Sequence, residues 1–135
     1  MSVSEKLDEM IDIETAILEN CKLYHAYYAE ICNAIDNGVS LGIILPPQTM
    51  TQISDQMMSV DEKCNAISSC IDTAMVTDEM CDTFQKRGMD AEYQNGLQSI
   101  MAVASEVNLL KNQIANILND IEPHMQLAIS RIRDI

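Results

Sequence analysis

The sequence predicts an all-α fold, three long helices in an antiparallel, up-down-up coiled-coil bundle. Three observations lead there. Apolar residues recur three and four apart over three long segments, the spacing of helices that interlock their side chains. The apolar set is ten Met, five Cys and one Phe with no Trp, a mixture that suits interdigitating helices better than strands. Four Gly and three Pro in 135 residues leave little material for the turns of an all-β chain.

The first helix, about residues 3–37, carries the line Val3, Leu7, Met10, Glu14, Ile17, Cys21, Tyr24, Tyr28, Ile31, Ile35, broken only by Glu14. Ser2 and Glu5 have the spacing of a capping box, and Asn37-Gly38 is a stop, with Gly38 able to take the left-handed conformation. The second helix, about 49–87, carries Met50, Ile53, Met57, Val60, Cys64, Ile67, Ile71, Ala74, Asp78, Cys81. Thr49 and Gln52 suggest its capping box, and Lys86-Arg87-Gly88 its cationic end and terminator. Val76-Thr77-Asp78 is a point where it could break or kink.

The third helix, about 90–134, carries Leu97, Ile100, Ala104 and Val107, falters at Lys111, and resumes with Ile114, Leu118, Ile121, Met125, Ala128, Ile132, Ile135. Asp90 is the candidate N-cap, although Asn95-Gly96 could delay the start. Pro123 removes a backbone donor, so a bend or a short fourth helix is expected after it. A stripe of this length needs partners to cover it, and three such helices cover one another. The short second connection forces antiparallel neighbours, and loop 38–48 permits a hairpin. The chain is thus expected to be one domain over residues 1–135. In outline it resembles a spectrin-type repeat, a likeness of architecture alone in a chain without Trp.

Twenty-one acidic residues face eight basic ones, a formal charge of −13. Such a surface repels phosphate backbones and anionic lipid, so direct nucleic-acid or membrane binding is not expected. Under up-down-up topology one end gathers Glu5, Asp8, Glu9, Asp12, Glu14, Glu19, Asp72, Asp78, Glu79, Asp82, Asp90 and Glu92 against Lys6, Lys86 and Arg87. Asp8, Glu9, Asp12, Asp78, Glu79, Asp82, Asp90 and Glu92 are the candidate acidic tip. It could steer a basic protein surface into contact, or imitate the phosphate array of a nucleic acid, or only keep the chain in solution.

The connection between the first two helices is unusual for its oil. Loops are ordinarily polar, yet Leu41, Ile43, Ile44, Leu45, Pro46 and Pro47 follow Val39 with only Ser40 and Gly42 between. The segment could fold back as a plug over Tyr28, Ile31, Ile35 and Ile53, or stay exposed as an anchor for a partner or a second copy. The two combine if only Ile43 or Leu45 points outward.

Signatures of catalysis are missing. The di-iron pattern Glu-x-x-His is absent, since Lys22 precedes His25 and Ile121 precedes His124 by three. Cys21, Cys32, Cys64, Cys70 and Cys81 form no close pair of the kind a structural zinc site uses. They read as reduced thiols of a cytoplasmic protein. Cys21, Cys64 and Lys111 fall near one level of the expected bundle, where a lysine could activate a thiol. No phosphate loop or nucleophile elbow occurs. The N-terminus does not read as a signal peptide, and no apolar run is long enough to span a bilayer.

The expectation is a non-enzymatic helical protein–protein interaction module, an adaptor, assembly factor or inhibitor, with no cofactor and no metal. Its partner would be a protein with a basic or apolar surface. The alternatives are an acidic nucleic-acid mimic, such as a phage-encoded anti-defence protein, and a self-assembling structural rod, a homo-oligomer.

Overall fold

The computed structural model describes residues 3–135. All the regular structure among them is helical: α1 (Val3–Asp36), α2 (Leu41–Ile44), α3 (Pro47–Lys86) and α4 (Asp90–Arg133). The expected capping box of Ser2 and Glu5 lies outside the described residues, because Ser2 does.

The stop signals act as their chemistry requires. Gly38 has φ +97° and Gly88 has φ +72°, values that a side chain would strain. In each case the glycine N–H bonds three residues back and the next N–H five back: Gly38 to Ile35 and Val39 to Ala34, Gly88 to Gln85 and Met89 to Phe84. This paired closure satisfies carbonyls that the last helical turn would otherwise leave open.

Three boundaries differ from expectation. Helix α3 begins at Pro47, so Thr49 lies inside the first turn and forms no capping box with Gln52. Proline at a first helical position has the right φ and lacks only an N–H that no carbonyl needs there. The N–H of Met50 closes that turn on the Pro46 carbonyl at 3.1 Å. Asp90 is the first helical residue of α4 rather than its cap, and Asn95-Gly96 does not delay the start. Loop 38–48 itself contains one helical turn, α2, with Leu45 N–H bonded to the Leu41 carbonyl.

Neither anticipated interruption ends a helix. Helix α3 is continuous through Val76-Thr77-Asp78, and the Thr77 hydroxyl bonds back to the Thr73 carbonyl at 2.8 Å. Helix α4 is continuous through Pro123, so no separate helix follows it. Interior proline costs a helix about 3 kcal/mol. Against that, Ile121 and Met125 on either side are wholly buried, and burial of such a side chain contributes roughly 1.5–3 kcal/mol.

The chain packs as two compact units that share the three long helices. Unit 1 is Met1–Ile17 with Lys63–Asn112, and unit 2 is Leu18–Glu62 with Gln113–Ile135. The core of unit 1 includes Met10, Ile67, Ile71, Ala74, Cys81, Ile100, Ala104, Val107 and Leu110. That of unit 2 includes Tyr24, Ile31, Ile44, Leu45, Ile53, Val60, Ile114, Ile121 and Met125. Among the described residues no polar or charged side chain is fully buried.

Two of the three irregular slots in the apolar lines, Glu14 and Lys111, have separate explanations. Glu14 is half-buried and accepts a 2.6 Å hydrogen bond from the Ser68 hydroxyl of α3, which keeps its carboxylate satisfied beside the core of unit 1. Lys111 is exposed, and Leu110 takes the buried place instead. A one-residue step in the stripe removes the apparent fault. Gly96 has a packing role: a Cβ there would collide with the Cys81 sulfur, so α4 approaches α3 closely only because that position is bare.

Candidate interaction surfaces

The apolar loop belongs to unit 2 and divides between core and solvent. Ile44 and Leu45 are buried at 0% and 1% exposure, Leu41 is half-buried, and Ile43 is 58% exposed. Pro46 and Pro47 are exposed. One helical turn causes the division, since adjacent residues on α2 point about 100° apart. The guanidinium of Arg131, in the last turn of α4, donates a 2.9 Å hydrogen bond to the Ile44 carbonyl. That carbonyl lies at the end of α2, where no further helical N–H is available to it. Arg131 stands 87 residues from Ile44, so nothing local in the sequence signals this contact.

Around this segment the chain is uncharged from residue 37 to residue 54. Asp36 and Asp55 are the nearest charged neighbours in sequence. Exposed Ile43 therefore lies in the longest stretch without ionic side chains in unit 2.

The eight acids singled out from sequence all fall in unit 1. Asp8, Asp12, Glu79, Asp82, Asp90 and Glu92 are exposed, while Glu9 and Asp78 are half-buried. Lys6 meets Glu9 at 3.4 Å, an i,i+3 pair of the partly exposed sort that contributes little. Glu19, grouped with the same end in the sequence reading, falls in unit 2. Unit 1 holds twelve acids against five bases, net −7, and unit 2 nine against three, net −6. The acid excess is thus shared by both units.

Unit 2 joins its helix segments through polar contacts on the surface. His25 Nε2 meets Asp61 Oδ1 at 2.8 Å, both half exposed. The Arg133 guanidinium meets both carboxylate oxygens of Glu30 at 3.3 Å. Tyr24 packs edge-on to Tyr27, with ring centres 6.3 Å apart, and Gln126 donates to the Tyr27 hydroxyl at 3.3 Å. Burial, together with the adjacent Glu122 carboxylate, raises the Tyr24 phenol above its ordinary range. His25 is an exposed helix-to-helix contact in an aromatic neighbourhood. Its Asp61 partner stands 36 residues away, with no local signal in the sequence.

The thiols are buried or half-buried: Cys21 and Cys81 within cores, Cys32, Cys64 and Cys70 between core and surface. Burial, then Asp78 and Asp82, push the Cys81 thiol up. Burial, then Glu106, push Cys70 up. Both effects disfavour the thiolate, the reactive form. Lys111, the residue suggested to activate Cys21 or Cys64, is exposed on the surface of unit 1. Among the described residues no group of three or more His, Cys, Asp or Glu could hold a metal ion, and no helix is long and apolar enough to cross a membrane.

No protein-family model, curated protein or solved structure matches the chain.

Some of the apolar residues that flank the core slots are exposed oil. In unit 1 Met75, Val76, Met80, Met89, Met101 and Leu109 are each at least 37% exposed. Four of these six are methionine, an unbranched and adaptable side chain. In the sequence they were indistinguishable from core flanks, because a slot one position off the stripe is buried or bare depending on its neighbours.

Proposed function

We propose that this protein is a non-enzymatic helical interaction module that binds another protein, with the loop face of unit 2 as a primary contact. The carrying observation is the division of the loop. Ile44 and Leu45 are buried, and Arg131 fixes the Ile44 carbonyl, so Ile43 is presented outward on a secured backbone. A prefixed apolar side chain loses little freedom on binding, which favours affinity. The partner in this reading carries an apolar pocket for Ile43, and the module works in the reducing cytoplasm, in keeping with five cysteines that form no disulfide.

In the proposed topology the long helices run up, down and up as an antiparallel coiled coil. Within unit 2 the contacts of α1 and α4 climb together, from Tyr24 with Glu122 and Tyr27 with Gln126 to Glu30 with Arg133. Within unit 1 those of α3 and α4 run oppositely, Cys81 with Tyr93 and Cys70 with Glu106. Both patterns support that topology.

The test compares the wild-type chain with a Leu41→Ser, Ile43→Ser variant, leaving the buried Ile44 and Leu45 intact. A partner recovered from native extract is purified, and its affinity for each is measured by calorimetry. A loss of about tenfold or more is expected, as for an anchor residue. Equal affinities would remove the loop from the interface. The acid excess in both units supports a second reading, nucleic-acid mimicry. It predicts that the recovered partner is a nucleic-acid-binding protein and that duplex DNA or RNA competes, with steep salt dependence.

A further inference from the structure

The core stripe of α4 loses its cover toward the α3–α4 turn. At seven-residue steps, Tyr93 belongs with Ile100 and Val107, both 0% exposed, and Leu97 belongs with Ala104, 4% exposed. Yet Tyr93 and Leu97 are only half-buried, and Met101, four residues beyond Leu97, is 46% exposed. On α3 the corresponding slots turn acidic. Asp78 occupies a core position and is half-buried, and exposed Asp82 follows it by four. Met75 precedes Asp78 by three and is 48% exposed.

The two rows belong to a hairpin closed at Cys81 and Gly96. The Cys81 sulfur lies 3.8 Å from the Tyr93 carbonyl, and Gly96 leaves room for no side chain between the helices. The row Met75, Asp78, Asp82 continues the side of α3 that carries Ser68, whose hydroxyl binds Glu14 of α1. That side of α3 is therefore the one a third helix covers lower in unit 1.

We infer that the turn end of the α3–α4 hairpin in unit 1 is a docking groove for a cationic amphipathic helix of a partner protein. The inference rests on the interaction-module reading and assigns it a second contact of defined chemistry. Tyr93, Leu97, Met101 and Met75 offer apolar contact at helical spacing, and methionine adapts to differing side chains. Charge selects the occupant. Between residues 75 and 101 stand Asp78, Glu79, Asp82, Asp90 and Glu92 against Lys86 and Arg87. An apolar row beside half-buried Asp78 and exposed Glu79 and Asp82 disfavours an acidic or wholly apolar helix, and a second copy would bring the same acids to the same place. A helix with Leu or Ile on one face and Lys or Arg beside it satisfies both rows.

The probe is a fluorescent peptide of Leu and Lys with Leu at three- and four-residue spacing. Its controls are the same composition in strict alternation and a version with Glu for Lys. Saturable binding is expected for the first peptide only. It should weaken about tenfold or more in Met101→Gln, and by a similar factor in Glu79→Gln, Asp82→Asn at low salt. Met58→Gln, a 61% exposed methionine of unit 2, should leave it unchanged. Far-UV dichroism establishes that each variant is folded. A benzophenone on the peptide should cross-link within residues 75–101.

Equal binding of the alternating peptide, equal loss in Met58→Gln, or cross-links confined to unit 2 would overturn the inference. So would a dimer, seen by sedimentation, that Met101→Gln dissolves and the peptide cannot displace. Failure of the peptide with retained, Ile43-dependent capture of a partner would refute the groove alone. Loss of all partner capture by the wild-type chain would instead refute the module reading.

Discussion

Substituting Gly96 by alanine sets two known effects against each other. In an exposed helix interior, Gly→Ala gains about 1 kcal/mol through lower backbone entropy in the unfolded chain. At Gly96 the added carbon would collide with the Cys81 sulfur and come within 3.7 Å of Thr77 Cγ2. Cys81 is 2% exposed, and a helix leaves its χ1 few rotamers into which the sulfur can retreat. Overpacking of this kind costs roughly 1–3 kcal/mol. The clash should win, for a net destabilisation of about 1 kcal/mol. With Cys81→Ala already present the obstacle is gone, and the same change should stabilise by about 1 kcal/mol. Urea denaturation followed at 222 nm on the four members of the cycle measures the coupling, expected near 2 kcal/mol. Identical effects of Gly96→Ala in the two backgrounds would refute the close approach of α3 and α4 at this point.

Other consequences are open to the same methods. Ile44→Ala should cost about 2–5 kcal/mol, whereas neighbouring Ile43→Ser should shift stability by no more than about 0.5 kcal/mol; similar losses would contradict the division of the loop. Because Cys70, Cys81 and Tyr24 are all raised, the unfolded chain loses these protons first. Stability should therefore hold below the ordinary thiol range and fall as pH climbs through it and on through the tyrosine range. Cys81→Ala and Tyr24→Phe should each flatten part of that fall, and a pH series of urea midpoints would show it. Cys21, at 4% exposure, should react with a maleimide far more slowly than a free thiol, and a rate near that of free cysteine would reopen the idea of an activated sulfur.

Periodicity is a strong signal where many residues repeat it, so the three long helices could be read from the chain almost to their ends. Gly38 and Gly88 were legible because a left-handed turn nearly demands glycine. Pro123 starts no separate helix, and Gly96 does not delay α4. Both are breakers by local preference, and both are retained inside α4, one by wholly buried neighbours and one by the need for a bare position against Cys81. The loop showed a similar limit. Its apolar content announced that it mattered, but which of Ile43, Ile44 and Leu45 faced inward depended on a single helical turn and a hydrogen bond from Arg131, 87 residues away. The acid count is plain in the sequence, but its even division between the two units had to be counted in the structure.

The bond between Ser68 and Glu14 has a consequence for alignment. Sliding α1 against α3 by one heptad would leave most apolar pairings nearly as good as before. It would not leave Glu14 satisfied: seven residues on either side of Ser68 stand Asp61 and Met75. A carboxylate facing a carboxylate, or facing a thioether with nothing to donate, loses the hydroxyl that Ser68 supplies. One polar pair therefore penalises the shifted alignments that a repetitive stripe would tolerate, as a polar core residue does in other coiled coils. Replacing both residues with apolar ones should keep the helices and loosen their choice of neighbour.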